Sequence, residues 1–143
     1  PNDLYWRDRK AAGILIENHV QGMNWQYAVI GIGININQTI FDASIKKPVS
    51  LKQITGQDFN PVALAKELCV CMEKRFQALK SGGQAAQLIA YNQHLFKKNE
   101  LMRFKKDNIH FQARVEGVNA QGELLLSGGL QDSFKFGEIV WLI

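Results

Sequence analysis

An eight-residue stretch near the N-terminus constrains this chain most. From Ile30 to Asn37 every second residue is isoleucine. Side chains of a strand alternate between the two faces of a sheet, so the four isoleucines line one face, which we expect to be core. The other face carries Gly31, Gly33, Asn35 and Asn37, a bare surface followed by two amides. Glycine inside a strand often marks the close approach of a ligand or another backbone. The pattern therefore predicts either a floor for a flat ligand or, with equal weight, a bulge or a crossing element.

The segments around this strand predict a hairpin and a loop. Residues 11–18 are a short apolar run with β-branched side chains, which indicates a mostly buried strand. Gly22 lies among polar residues at 19–24 and marks a turn, so residues 25–37 are expected as the second strand of an antiparallel hairpin. Residues 38–50 show no periodicity and are predicted to form a mobile loop.

Helices follow the loop. Ser50 is placed to cap one helical turn over residues 51–55, before Gly56. Asparagine caps free N–H groups and proline suits the first helical position, so Asn60 and Pro61 predict a helix that runs to about residue 80. A second helix is predicted over residues 84–96. Its expected buried residues are Leu88, Ile89 and Leu95.

The last third of the chain changes character. Short strands are predicted over residues 101–104, 109–118, 123–127, 133–136 and 139–143, separated by turn-forming residues. Strands this short and closely spaced indicate a small barrel or sandwich. The chain is thus predicted to be α+β, with one domain over residues 1–97 and a small β-barrel domain over residues 98–143. Fewer than about fifty residues make a small core, so we expect the second domain to pack against the first.

Composition excludes several classes of protein. The chain is 46% hydrophobic and 21% charged, which is too apolar for a disordered protein. No apolar run approaches membrane-spanning length and no charged leader precedes one, so a cytoplasmic, soluble protein is expected. The first residue is Pro1, not methionine, which indicates a cut through a longer sequence. The net charge of +4 permits an anionic ligand without requiring nucleic acid.

The cysteines and histidines do not suggest a site. Cys69 and Cys71 are two apart in a predicted helix and point about 200° away from each other, so we expect two buried or half-buried thiols and no disulfide or metal centre. His19, His94 and His110 have no ligand spacing and are expected to be surface or structural residues.

Lys10 is the charged residue with the most informative neighbours. It directly precedes Ala11-Ala12-Gly13, so its ammonium group can reach over a surface of small side chains. Arg7, Asp8 and Arg9 come just before it. A charged cluster of this kind is more often a solvated hairpin tip than a site, so on its own it does not decide between the two.

Three motifs, taken in order, resemble the biotin–protein ligase family. They are Pro1-Asn2-Asp3, the stretch Lys-x-Ala-Gly-Ile-Leu-x-Glu that begins at Lys10, and Gly-x-Gly-Ile-Asn ending at Asn35. The family also has a mobile loop, two helices and a small C-terminal barrel, in which Gly137-Glu138-Ile139 is similar to a late Gly-Glu-Ile. The resemblance covers the whole chain. It implies part of a mixed-sheet catalytic domain, similar to class II aminoacyl-tRNA synthetases, followed by an SH3-like barrel.

The resemblance also implies an activity and its site. The family uses ATP and Mg²⁺ to convert biotin into biotinyl-AMP, then transfers biotin to a lysine of a biotin carboxyl carrier domain. Lys10 would be the catalytic residue, touching the carboxylate of biotin and the α-phosphate. Biotin would also contact Gly13, Ile14 and Gly31. The nucleotide would contact Lys10, Asn2, Asp3 and Asn35, with Asp3 on the Mg²⁺ side. Residues 38–50 would order over the adenylate, and the sheet edge would support a homodimer.

The chain departs from the family pattern at its start. The Gly- and Arg-rich loop that the family carries upstream, and the Lys-Trp half of the first motif, are not among these residues, so we expect the chain alone to be a poor catalyst or inactive. Whether a DNA-binding repressor domain exists is undecided by these residues.

Two other functions remain open at this point. A lipoate–protein ligase or octanoyltransferase resembles the same fold, although the Gly-x-Gly-Ile-Asn strand and the barrel favour biotin. The second alternative is a nucleic-acid module in the basic C-terminal region, against which a solvated basic face with buried aromatics is preferred. Its contacts would be Lys97, Lys98, Arg103, Lys105, Lys106 and Arg114, with Phe104 and Phe111 stacking on bases.

Overall fold

The N-terminal part of the computed structural model is a three-stranded antiparallel sheet. The structure describes residues 2–142, so Pro1 of the first motif and Ile143 of the last predicted strand lie outside the described residues. Strands β1 (Asp3–Trp6), β2 (Arg9–Gln21) and β3 (Asn24–Ile34) pair in the order β1-β2-β3. The predicted hairpin is confirmed, with its turn at Gly22, whose φ of 62° favours glycine. Strand β1 was not predicted.

The expectation that the isoleucine face is core is wrong for the described chain. No residue of β3 is buried, and Ile30 is 41% exposed. In β2, predicted to be mostly buried, Ala12 alone is buried, whereas Leu15 and Ile16 are more than half exposed. Burial of a sheet needs a second layer, so no described part of the chain covers these two strands fully. Strand β3 also ends at Ile34, three residues before the predicted end.

The helices begin where their caps predict. Helix α1 (Leu51–Thr55) has a complete capping box, because Ser50 accepts from the Gln53 amide while the Gln53 side chain accepts from the Ser50 amide. Gly56 ends it with a φ of 77°. Helix α2 (Pro61–Lys80) starts where the Asn60 side chain accepts from the amides of Val62 and Ala63. Helix α3 (Gln84–Gln93) ends three residues earlier than predicted.

Two burial predictions for the helices fail. Ile89 is 60% exposed, not buried, while Leu88 and Leu95 are half-buried. Cys69 and Cys71 are both exposed free thiols. They lie in α2, and no residue of this helix is buried. Within residues 2–142, no helix combines the length and the apolar character needed to cross a membrane.

The C-terminal part is a small antiparallel β structure with its own core. Strands β4 (Leu101–Lys106), β5 (Ile109–Val118), β6 (Leu124–Ser127), β7 (Ser133–Phe134) and β8 (Val140–Trp141) pair in the order β7-β6-β5-β4-β8. The last two strands are shorter than predicted. The fully buried residues at the centre are Phe104, Ala113, Val115, Leu126 and Phe134. The chain is therefore α+β with an SH3-like barrel, as predicted.

The core packing contradicts part of the nucleic-acid hypothesis. Phe104 is 0% exposed and packs against Phe111 and edge-on against Trp141. A ring with no exposed surface cannot stack on a base. Gly129 completes this core, since a Cβ there would lie 2.9 Å from the Cβ of Ala113.

The chain divides into two compact units, Pro1–Cys69 and Val70–Ile143, so the division falls within α2. Within the second unit, α3 attaches to β5 through Asn92, whose side chain donates to the Val118 carbonyl (2.9 Å) and accepts from the Val118 amide (2.7 Å). The assignment of residues 98–143 to a domain of their own stays a prediction.

Candidate active site

The candidate site is centred on an ion pair between β1 and β2. The Lys10 ammonium lies 2.7 Å from Oδ1 of Asp3, and the two side chains are 42% and 36% exposed. The pairing register explains how they meet. Leu4 pairs with Ala12 but Tyr5 pairs with Lys10, which leaves Ala11 as an extra residue in β2. A bulge re-aims the side chain beside it, so Lys10 lies on the same face as Gly13.

Gly13 provides a small surface beneath the ion pair. A Cβ at this position would lie 3.5 Å from Oδ1 of Asp3 and 3.7 Å from both Cε and Nζ of Lys10. These are ordinary contact distances, so a side chain here would fit but would occupy the space next to both charges. The next residue, Ile14, is half-buried and donates its amide to the Asn2 carbonyl at 2.6 Å. The structure therefore brings Asn2, Asp3, Lys10, Gly13 and Ile14 together.

The glycines of β3 extend this bare surface. Gly33 pairs with Gly13 and Gly31 pairs with Leu15, so both glycines lie on the Gly13 face of the sheet. No described atom would lie within 4 Å of a Cβ at Gly33, and at Gly31 the nearest is the Leu15 carbonyl at 4.0 Å. The register is regular here, and neither glycine has a positive φ. Among the described residues, the interpretation as a bulge or a crossing element is therefore wrong, and the surface is open.

Asn35 lies beside Lys10, but its amide group already has main-chain partners. Its Nδ2 donates to the carbonyl of Lys10 at 3.3 Å and to that of Val49 at 3.2 Å. Its backbone amide donates to the Ala11 carbonyl. Asn35 thus ties the end of β3 to the start of β2 and to the end of the following loop. Asn37, two residues later, also binds the main chain: its side chain donates to the Phe59 carbonyl and accepts from the Phe59 amide.

The loop predicted to be mobile is firmly attached at its C-terminal end. The Lys10 amide donates to the Lys47 carbonyl (2.8 Å) and the Val49 amide donates to the Lys10 carbonyl (2.9 Å), so Lys10 and Pro48 form a parallel bridge. Val49 and Ser50 are buried. The middle of the loop is different, since Ile40 is 89% exposed.

Tyr5 in β1 and Asp42 in the loop have shifted pKa values. Burial raises the pKa of Tyr5 above its ordinary 10.0; the nearby Asp3 carboxylate adds to the rise and Lys10 opposes it. In the loop, hydrogen bonds from the Ser44 hydroxyl and amide lower the pKa of Asp42 below its ordinary 3.8. The Asp42 contacts are local and form a turn.

An open cavity of about 420 Å³ lies at the end of β3, lined by Ile34, Ile36, Asn37, Gln38 and Pro61. Within residues 2–142, no group of three or more His, Cys, Asp or Glu side chains could hold a metal ion. Asp3 offers a single carboxylate, whose Oδ1 contacts Lys10, so it could serve as at most one protein ligand of Mg²⁺.

Arg9 and Gln53 contact the segment that pairs with Lys10, and the sequence motifs gave neither of them a role. Arg9 donates from Nε (3.0 Å) and Nη2 (2.7 Å) to the Pro48 carbonyl, and from Nη2 to Oε1 of Gln53 (3.1 Å). The Gln53 position was visible as the third residue of a capped helix, but its link to Arg9 spans 44 residues and depends on the fold.

Comparisons with known proteins give a consistent result. No family model matches the chain. It is 28% identical over 129 residues to the bifunctional ligase/repressor BirA of Bacillus spizizenii, and equally to that of Bacillus subtilis. The match covers 88% of this chain and 40% of each relative, so the chain spans less than half the length of these curated relatives.

Solved structures give the same result for the fold. Biotin protein ligase from Aquifex aeolicus matches with a TM-score of 0.76 in its apo form and 0.78 in complex with biotin and ATP. Both matches are 21% identical and cover 99% of this chain, with 62% and 59% of the ligase chains. The resemblance predicted from the three motifs is confirmed: this chain is similar to part of the biotin–protein ligases in sequence and has their fold.

Proposed function

We propose that this chain forms part of an ATP-dependent biotin–protein ligase. The observation that carries the proposal is the Lys10 ammonium, held over Gly13 at the edge of an open glycine surface. The named relatives are ligases, and a matching structure holds biotin and ATP. Since such a reaction consumes ATP, we place the protein in the cytoplasm.

In this proposal Lys10 is the catalytic residue. An oxygen of the biotin carboxylate attacks the α-phosphorus of ATP, the bond to pyrophosphate breaks, and biotinyl-AMP forms. The two reacting groups are both anionic, and a fixed ammonium holds them together and stabilises charge on the phosphate oxygens. The bulge at Ala11 and the Pro48 bridge fix the backbone from which that ammonium projects.

The open sheet surface would bind biotin. Gly13 and Gly31 leave room for a flat ring system. Ile14 pairs with Ile32, so its side chain lies on the opposite face, and it would contact biotin through its main chain. Side-chain volume at either glycine would fill this space. The three glycines on this surface, Gly13, Gly31 and Gly33, are consistent with a ligand that lies against the backbone.

Asn2, Asp3 and Asn35 would contact the nucleotide. Asn35 already donates twice from Nδ2, so it would reach the nucleotide through its amide oxygen. Asp3 would be the residue that holds Mg²⁺, which would supply neutralisation of the phosphate charge when bound.

The second half-reaction needs a carrier lysine. Its amine attacks the carbonyl of biotinyl-AMP, an amide bond forms and AMP leaves; the proposed partner is a biotin carboxyl carrier domain. Residues 38–50 would cover the mixed anhydride and exclude water from it. The open edge of β3 presents main-chain groups that would support the homodimer.

Biotin-dependent exchange of labelled pyrophosphate into ATP, measured on the whole protein, tests the proposal. We expect exchange with biotin and Mg²⁺ and none with lipoate. Exchange that depends on lipoate and ignores biotin would instead identify a lipoate–protein ligase. No exchange with either acid, together with no biotin binding by calorimetry, would refute the ligase proposal.

A further inference from the structure

We infer that Arg9 and Gln53 act as a pair of positioning residues for Lys10, and that they do so through the base of the 38–50 loop. The inference rests on the proposed function of Lys10. Their hydrogen bonds converge on the segment that pairs with the Lys10 backbone.

The first step is the contact of Arg9 with Pro48. Two nitrogens of one guanidinium donate to the same carbonyl, at 3.0 and 2.7 Å. Pro48 is the residue that bridges in parallel with Lys10, and the residues on either side of it, Lys47 and Val49, bond the Lys10 amide and carbonyl. Arg9 therefore holds residues 47–49 in place, and these residues bind the main chain of Lys10.

Gln53 connects this contact to both ends of the loop. Its Oε1 accepts from Arg9 (3.1 Å) and from the Ser50 amide (3.3 Å), at the end of the loop. Its Nε2 donates to the Thr39 carbonyl (3.0 Å), at the start of the loop. One side chain thus closes the base of the loop and joins it to Arg9.

The arrangement links loop position to lysine position. Anything that draws the base of the loop away from β2 also removes the partners of the Lys10 main chain. Small misplacements of a catalytic group lower rates steeply, by up to about a hundredfold for 1 Å. Lysine in place of Arg9 keeps the charge but lacks the planar fork that donates from two nitrogens.

The first test measures amide hydrogen exchange in the whole protein. Arg9→Lys and Gln53→Ala should accelerate exchange of the Lys10 and Val49 amides, while the amides of Ile14 and Ile32 in the same hairpin keep their wild-type rates. Arg7→Lys is the matched control, because Arg7 lies over the Trp6 ring and should leave all four amides unchanged. Unchanged exchange at Lys10 and Val49 in both variants would overturn the inference.

The second test measures single-turnover formation of biotinyl-AMP. Arg9→Lys should lower the rate about tenfold, and should have no further effect in a Lys10→Ala background. An equal loss in both backgrounds, or no loss at all, would contradict positioning through Lys10. If Lys10→Ala itself left the rate unchanged, the proposed function would fail instead, and the exchange experiment would still decide the structural link.

Discussion

The ammonium of Lys10 and the carboxylate of Asp3 are 2.7 Å apart, although the two residues lie on different strands and neither is buried. An ion pair this exposed contributes about 1 kcal/mol or less to folding. The pair therefore adds little to stability, and under the proposed function both residues act in the chemistry.

Asp3→Asn should separate these two roles. The amide keeps the shape and removes the charge, so we expect a nearly unchanged melting temperature and a loss of adenylate formation of about a hundredfold. The control is Asp58→Asn, which removes the more exposed carboxylate partner of Lys52 and should leave the rate unchanged. Equal effects of the two variants on the rate would contradict a role of Asp3 in adenylate formation.

Gly31→Val tests the glycine surface as a binding floor. Valine suits a strand, Gly31 has no positive φ, and the nearest atom to its Cβ is 4.0 Å away, so the fold should be at least as stable as the wild type. Biotin binding, measured by calorimetry, should be lost. Val29→Ile, on the same strand and the same face, is the control and should bind normally. Wild-type biotin affinity in Gly31→Val would show that the ligand lies elsewhere.

Asn92→Ala tests how α3 is attached to β5. Removing the amide leaves the Val118 carbonyl and amide without these partners in a part-buried position, which should cost about 1–3 kcal/mol. Urea denaturation gives the free energy of unfolding. The exposed neighbour provides the control, Gln93→Ala, which we expect to change stability by less than about 0.5 kcal/mol. A loss no larger than that of the control would mean that the helix is held by its apolar contacts.

The raised pKa of Tyr5 predicts that the protein loses stability at alkaline pH. Its folded-state pKa is raised by burial and by Asp3, so the folded protein favours the neutral phenol. Such a group contributes its full stabilisation below pH 10, and the contribution is lost as the pH rises through the raised value. Tyr5→Phe should therefore flatten part of the loss of stability seen above pH 10 in thermal melts. An identical alkaline profile for wild type and variant would contradict the shift.

The sequence predicted those features that depend on local chemistry. The Ser50 cap, the Asn60-Pro61 helix start, the hairpin and the short C-terminal strands all follow from residues close to one another in the chain. The bare face of β3 was also correctly derived from alternation alone.

Features that depend on distant contacts were missed or misjudged. Alternation assigned the isoleucines to one face but could not show whether a layer covers it, and Ile30 is 41% exposed. Strand β1 is four residues long and is defined by its pairing with β2. The bulge at Ala11, which turns Lys10 toward Gly13, is likewise a property of register and leaves no mark in composition. The Arg9–Gln53 contact requires a loop that returns to β2.

The central claim is that Lys10 performs adenylation, and its most direct test is biotinyl-AMP formation by the whole protein carrying Lys10→Ala or Lys10→Arg. A fixed point charge at this position cannot be replaced by a longer planar group, so we predict that both variants lose about two to three orders of magnitude in rate while melting like the wild type. Lys74→Ala, at an exposed position of α2, is the control with an unchanged rate. A near-normal rate of biotinyl-AMP formation by Lys10→Ala would contradict the account.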